Sequence, residues 1–279
     1  MLCNKKFLKD MLHKLVELEL DFNDVREVPN FVVEFAALLE RTSNLEYLQI
    51  SRCRVLEELF PSQPEQGDTK TLGHLTTSSL VRLQKLCVSS CGHLTTLVHL
   101  PMSFSNLKHL SVKDCHGLKC LFTSTTAKKL VHLEEMYIMR CKSVEEILAK
   151  ELEDTTTSEA IQFERLNTII LDSLSSLSCF YSGNEILLLS SLIKVLIWEC
   201  PNMKIFSQGD IEAESFMGIQ VSLDPNEDLF FHQDLNNTVK RRFQQNVRTL
   251  FELINRFYFD YCMNVMFLTI NFKYTRDFV

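Results

Sequence analysis

Six segments of this chain carry the same spacing of apolar residues, and that repetition constrains the fold more than any other feature. Leu45, Leu48, Ile50, Cys53, Leu56 and Leu59 set the pattern, and Leu83, Leu86, Val88, Cys91, Leu94 and Leu97 repeat it. Leu107, Leu110, Val112, Cys115, Leu118 and Leu121 follow, then Leu133, Met136, Ile138, Cys141, Val144 and Ile147. Leu166, Ile169, Leu171, Leu174, Leu177 and Phe180 put leucine where the others have cysteine. Leu192, Val195, Ile197, Cys200, Met203 and Phe206 close the series. A weaker copy, Leu15, Leu18, Leu20 and Asn23, precedes them, with Val25 and Val28 slightly out of step. The leading apolar residues after that first copy lie 24 to 38 residues apart, so the motif is regular and the connections vary. Such internal periodicity is the mark of a stacked repeat architecture.

The spacing LxxLxLxxC/N has a direct physical reading. In an extended segment alternate side chains point to opposite faces, so the two residues of LxL point inward and those between them outward. One short strand cannot bury its apolar face alone, whereas stacked copies form a parallel sheet over a continuous core. Each large aliphatic side chain so buried contributes about 1.5–3 kcal/mol, which offsets the entropy of ordering the connections. The Cys or Asn position, where strand turns into loop, suits a small group able to satisfy backbone atoms of a neighbouring coil. The expected fold is therefore α/β: a leucine-rich-repeat solenoid, or horseshoe, with a parallel concave sheet and short helices or irregular loops on the convex side. About seven repeats would fill residues 1–245.

Between the strands, Phe31 to Arg41 after Pro29 has helical periodicity, and Thr125 to Leu130 reads as a single helical turn. Glu145 to Glu159 and Pro61 to Thr77 read as long solvated loops. Residues 246–279 form a separate tail. Leu250, Leu253, Ile254, Phe257, Tyr258, Tyr261 and Val265 fall on one helical stripe, which implies either a capping helix or a poorly ordered segment. Its polar face is not basic, which argues against a membrane-surface helix.

Composition excludes several classes of function. With 46% hydrophobic and 23% charged residues the chain is too apolar to be disordered. A net charge of −7 without a Lys/Arg stripe argues against nucleic acid. Only 7 glycines occur, unclustered, and neither GxxxxGK[ST] nor GxGxxG is present, so no nucleotide site is expected. No stretch approaches the roughly 20 apolar residues that a membrane helix requires. The amino-terminal residues lack a signal-peptide core, so the ten cysteines read as reduced thiols of a cytoplasmic protein. Cys87, Cys91, His93, Cys115, His116 and Cys120 have the composition of a zinc site, but the repeat already accounts for Cys91 and Cys115. Neither metal nor cofactor is expected. No nucleophile has a positioned base, so no catalysis is expected. Asn236-Asn237-Thr238 is a glycosylation sequon by pattern and reads as idle.

Three segments carry a family resemblance: LKHLSVKDCHGLKCLF, LEEMYIMRCKSVEEIL and LIWECPNMKIFSQGD. They resemble the leucine-rich repeats of plant intracellular disease resistance proteins, in particular those that combine a coiled coil, a nucleotide-binding domain and leucine-rich repeats. The resemblance covers Leu12 to Phe243, and DLNNTVKRRF (Asp234 to Phe243) resembles the closing segment of that family. It implies a repeat surface that senses pathogen effectors or guarded host proteins and restrains a nucleotide-binding switch. That switch is not found in these residues, so the chain reads as a repeat-only fragment, a truncated paralogue or a partial gene model. The alternative is a repeat-bearing substrate adaptor or scaffold outside immunity.

Under this register the outward residues form the binding face, acidic at Glu17, Glu19 and Asp21, basic in the middle, mixed and aromatic towards the end. Interfaces draw their energy from aromatic and arginine side chains. The expected contacts to a protein partner are Tyr47, Gln49, Lys85, His109, Lys113, Tyr137, Met139, Arg140, Leu196 and Trp198, the last the sole tryptophan and expected to face solvent.

Overall fold

The computed structural model describes residues 12–23, 35, 38–39, 41–59, 80–97, 104–150, 160–221 and 229–248. The LxL segments become strands: β1 (Glu17–Asp21), β2 (Tyr47–Ser51), β3 (Lys85–Ser89) and β4 (His109–Lys113). After β5 (Phe122–Thr123) come β6 (Glu135–Met139), β7 (Glu146–Ala149), β8 (Ile161–Gln162) and β9 (Thr168–Asp172). The series ends with β10 (Cys179–Tyr181), β11 (Leu187–Leu188), β12 (Lys194–Trp198), β13 (Ile211–Glu212) and β14 (Ile219–Gln220).

One eight-stranded sheet runs in the order β1-β2-β3-β4-β6-β9-β12-β14, and its pairings are parallel. Two further three-stranded sheets, β10-β7-β5 and β13-β11-β8, are also parallel and complete the circuit of the later coils. The coils β6-β7-β8 and β9-β10-β11 therefore have three straight sides, each hydrogen-bonded to the matching side of a neighbour. This is the predicted leucine-rich-repeat solenoid, with strands rather than helices forming much of its back.

The core lies inside the coils. Leu48, Ile50, Leu86, Val88, Leu110, Val112, Met136, Ile138, Ile169 and Leu171 are all fully buried, while the residues between them are half-buried or exposed. Leu18 and Leu20 of β1, at the amino-terminal edge of the described sheet, are only half-buried. The ladder cysteines behave as the spacing requires. Cys115 Sγ donates to its own Lys113 carbonyl at 3.4 Å and towards Val88 of the preceding coil at 3.9 Å. Cys141 repeats this with Met139 and Val112, and Cys200 with Trp198 and Leu171.

A second ladder has no glycine in it. Arg52, Ser90, Asp114, Arg140, Ser173 and Glu199, each directly after an LxL strand, are left-handed with φ between 50° and 57°. That conformation turns each strand sharply, and the amides of the first five donate to the strand-end carbonyls of the next coil. The partners are Ser89, Lys113, Met139, Asp172 and Trp198, at 2.8–3.0 Å.

The connections depart from expectation in one place. The composition of Glu145 to Glu159 suggests a solvated loop, but Glu146–Ala149 is β7, because Ile147 and Leu148 are both buried and the segment pairs with β5 and β10. Residues 151–159 and the Pro61 to Thr77 loop lie outside the described residues. Of the Phe31 to Arg41 helix, Phe35, Leu38 and Leu39 are described and helical, with Phe35 and Leu39 buried. The expected single turn is α1 (Ser124–Ala127), whose N-cap Thr123 accepts from the Thr126 amide.

A helix over 235–248, α2, follows the last coil. Asp234 caps it by accepting from the Asn237 amide at 2.8 Å, and Leu235, Thr238 and Val239 are buried. Asn236, the first residue of the sequon, joins this helix to the last coil. Its Oδ1 accepts from the Phe206 and Ser207 amides at 3.0 and 2.9 Å, and its Nδ2 donates to the Ser207 carbonyl at 3.0 Å. One amide side chain thus binds the backbone of the last coil as a further strand would. α2 crosses the division expected at residue 245. Apart from its first three residues, the 246–279 tail, including the Arg248 to Val265 stripe beyond its first residue, lies outside the described residues.

Candidate protein-interaction surface

The outer face of the eight-stranded sheet presents its residues in register-locked rows. Tyr47, Lys85, His109, Glu135, Thr168 and Lys194 form one row, and Gln49, Cys87, Ser111, Tyr137, Ile170 and Leu196 the next. Ser51, Ser89, Lys113, Met139, Asp172 and Trp198 form the third. With strands about 4.8 Å apart, β2 to β12 spans about 24 Å.

Parallel pairing brings several expected contact residues together. Lys85 Nζ lies 5.0 Å from the centroid of the Tyr47 ring, whose hydroxyl donates to Gln49 Oε1 at 2.6 Å. On the next strands His109 Nδ1 is 3.1 Å from Glu135 Oε2, and Tyr137 donates its hydroxyl to the same oxygen at 2.6 Å. That bond and the facing imidazole hold the Glu135 carboxyl below its ordinary range. Burial pushes both tyrosine hydroxyls up to about 12, so they remain donors at any physiological pH. At the strand ends Arg140 makes a two-pronged bond to Asp114, at 2.8 and 2.9 Å, which lowers the Asp114 pKa. Lys113 and Met139 are half-buried beside them. Glu135 and Asp114 fix the orientation of three expected contact residues, yet neither belongs to the set expected from sequence. The Glu135–Tyr137 spacing of two on one strand is the signal that points to the first.

Two expectations need correction. Leu196 is only 4% exposed and cannot serve as an outward contact: in its row Ile170 lies on one flank and Gln220, itself buried, on the other. Trp198 does not stand in solvent. It is half-buried on the wall of a 490 Å³ cleft between the end of β12 and α2, to which α2 contributes Val239, Arg242 and Phe243.

Of the residues with a zinc-like composition, Cys91 and Cys115 are inside the core, whereas Cys87 is on the outer face and His93 and His116 are not buried with them. Among the described residues, no group of three or more His, Cys, Asp or Glu side chains could hold a metal ion. Bonds with neighbouring thiols, and then burial, raise the pKa values of Cys91 and Cys115, and burial raises those of Cys53 and Cys200; Cys141 is lowered by its bond with Cys115. No described helix is long and apolar enough to cross a membrane.

The leucine-rich repeats of plant disease resistance proteins of the RPS2-like type match residues 1–142 and 95–208. Disease resistance protein RPS5 of Arabidopsis thaliana is 28% identical over 173 residues, covering 52% of this chain and 19% of its own length. The chain therefore spans about a fifth of that relative. No solved structure gives a significant match. With its repeated strand spacing, its parallel coils and a family match over more than half its length, the chain belongs to the RPS2-like leucine-rich repeats of plant disease resistance proteins.

Proposed function

We propose that this chain is a protein-interaction module of plant defence, whose outer sheet face binds a pathogen protein or a host protein that pathogens alter. The supporting observation is the preorganised face itself. Tyr47, Gln49, Lys85, His109 and Tyr137 are held by one another and by Glu135 before any partner arrives. Binding to such a surface costs little side-chain ordering. Aromatic and cationic groups in partly buried positions are those that dominate interface energies. A binding role also fits the ladder thiols, of which Cys53, Cys91, Cys115 and Cys141 are buried in the core and Cys115 and Cys141 bond to strand-end carbonyls. Reduced thiols suit a cytoplasmic setting.

The experiment is affinity capture from plant tissue by the chain and by Tyr137→Ala, Lys113→Glu and Trp198→Ala variants of matched melting temperature. A protein held by the original and reduced by about tenfold or more in the Tyr137 and Lys113 variants supports the reading. Equal recovery by all variants, or no specific protein at all, refutes it.

A further inference from the structure

The cleft beside Trp198 has a make-up that the sheet face alone does not explain. Its lining is largely apolar, with Ile197, Met203 and Ile219 from the last coils and Val239 and Phe243 from α2. Its volume of 490 Å³ falls in the range of sites that enclose a ligand group. Two cations, Lys142 and Arg242, also line it, and neither makes an ion pair among the described residues. Glu199, the one acidic residue among the described residues lining it, shares the single proton of the Ser173 hydroxyl, 2.9 Å away, with Asp172. β14 pairs only with Val195 and Leu196, so the backbone of Ile197 and Trp198 has no strand beside it on the cleft side among the described residues.

A mostly apolar cleft lined by two cations and one carboxylate keeps a positive excess, which is complementary to an aromatic or branched apolar group joined to a carboxylate. We propose that this cleft is a second contact site, which takes a peptide segment of the partner carrying an aromatic side chain next to an acidic residue. The aromatic ring would enter between Trp198 and Phe243, and the carboxylate would meet Arg242 and Lys142. The inference rests on the binding role above, because Trp198 belongs both to the third row of the face and to the cleft wall. A partner lying along the face therefore reaches the cleft without a gap. The chain has an acidic segment of its own, Asp224, Glu227 and Asp228, that follows the lining residue Val221 in sequence, and it is the competing occupant.

Because Trp198 is the only tryptophan, its fluorescence reports cleft occupancy in the full chain without a label. The probe is a blocked Phe-Asp-Glu tripeptide, with Phe-Asn-Gln as its neutral counterpart. The expected result is a saturable change in Trp198 emission with the acidic peptide. Affinity should fall by about tenfold in Arg242→Gln and again in Lys142→Gln, and by a similar factor for the neutral peptide. No saturable change, or equal response to both peptides, overturns the proposal. So does binding that appears only after Asp224→Asn, Glu227→Gln and Asp228→Asn are combined, since the cations then serve the chain's own segment. These readouts do not involve Tyr137 or Lys113, so a failure here leaves the sheet-face reading to its own test.

Discussion

Replacing Ser90 by glycine should stabilise the protein, although glycine usually weakens ordered structure. Ser90 has φ 55° and is one of six non-glycine residues forced left-handed at the ends of the strands. A side chain in that region costs about 1–2 kcal/mol, whereas glycine loses about 0.5–1 kcal/mol more chain entropy on folding. The net expectation is a gain of about 0.5–1 kcal/mol, or about 1–4 °C in melting temperature for a chain of this size. Ser90 is the clean position because its side chain is exposed. The Asp114 and Arg140 side chains hold each other, and the Ser173 hydroxyl shares its one proton between Asp172 and Glu199. The amide that the turn serves, Ser90 N to Lys113 O at 2.8 Å, is kept by glycine. Ser111→Gly, in the middle of β4, is the control and should lose about 0.5–1 kcal/mol. Thermal unfolding followed by circular dichroism reads both. If Ser90→Gly melts as low as Ser111→Gly, the left-handed ladder is not a source of strain and the reasoning is wrong.

Further outcomes follow from the same geometry. Asn236→Ala removes three hydrogen bonds between α2 and the last coil and should cost about 1–3 kcal/mol, with faster amide exchange confined to 204–248; uniform exchange would contradict it. Gly117→Ala should destabilise, since its Cβ would lie 2.6 Å from the Leu94 carbonyl oxygen and 2.8 Å from that of Gly92. Gly92→Ala, with nothing within 4 Å, should melt like the original. Asp114 and Glu135 have lowered pKa values, so their stabilising contributions are present above the ordinary carboxylate range and are lost as pH falls through it to the folded values. Melting temperature should therefore drop between about pH 5 and 3. Tyr137→Phe, which removes the largest cause of the Glu135 shift, should reduce that drop; an unchanged pH profile would count against the His109–Glu135–Tyr137 cluster.

What the sequence revealed and what it hid divide along a physical line. Inward positions are dictated by a period of two within a strand and by repetition between coils, so Leu110, Met136 and Cys141 could be placed from one chain alone. The outward rows were legible for the same reason, since the residues between two buried ones must point away. Burial of an outward residue depends instead on neighbours in other coils, which no local period encodes. Leu196 is covered in a row that ends on Gln220, and Trp198 is drawn into a cleft completed by α2. The left-handed ladder leaves no signal in the sequence because Arg, Asp, Glu and Ser occupy positions where glycine or asparagine would mark the turn. The bridging role of Asn236 was masked by a sequon pattern, because a side chain imitating a strand leaves no periodic trace.

Every outward row depends on parallel, in-register coils, and methyl nuclear Overhauser contacts test that pairing directly. Strong contacts between Leu110 and Met136 and between Val112 and Ile138 are the predicted result, because these residues are register partners across β4 and β6. Crossed contacts of equal or greater strength, Leu110 with Ile138 and Val112 with Met136, would mean antiparallel pairing and would dissolve the rows that place Tyr47, His109 and Tyr137 on one surface.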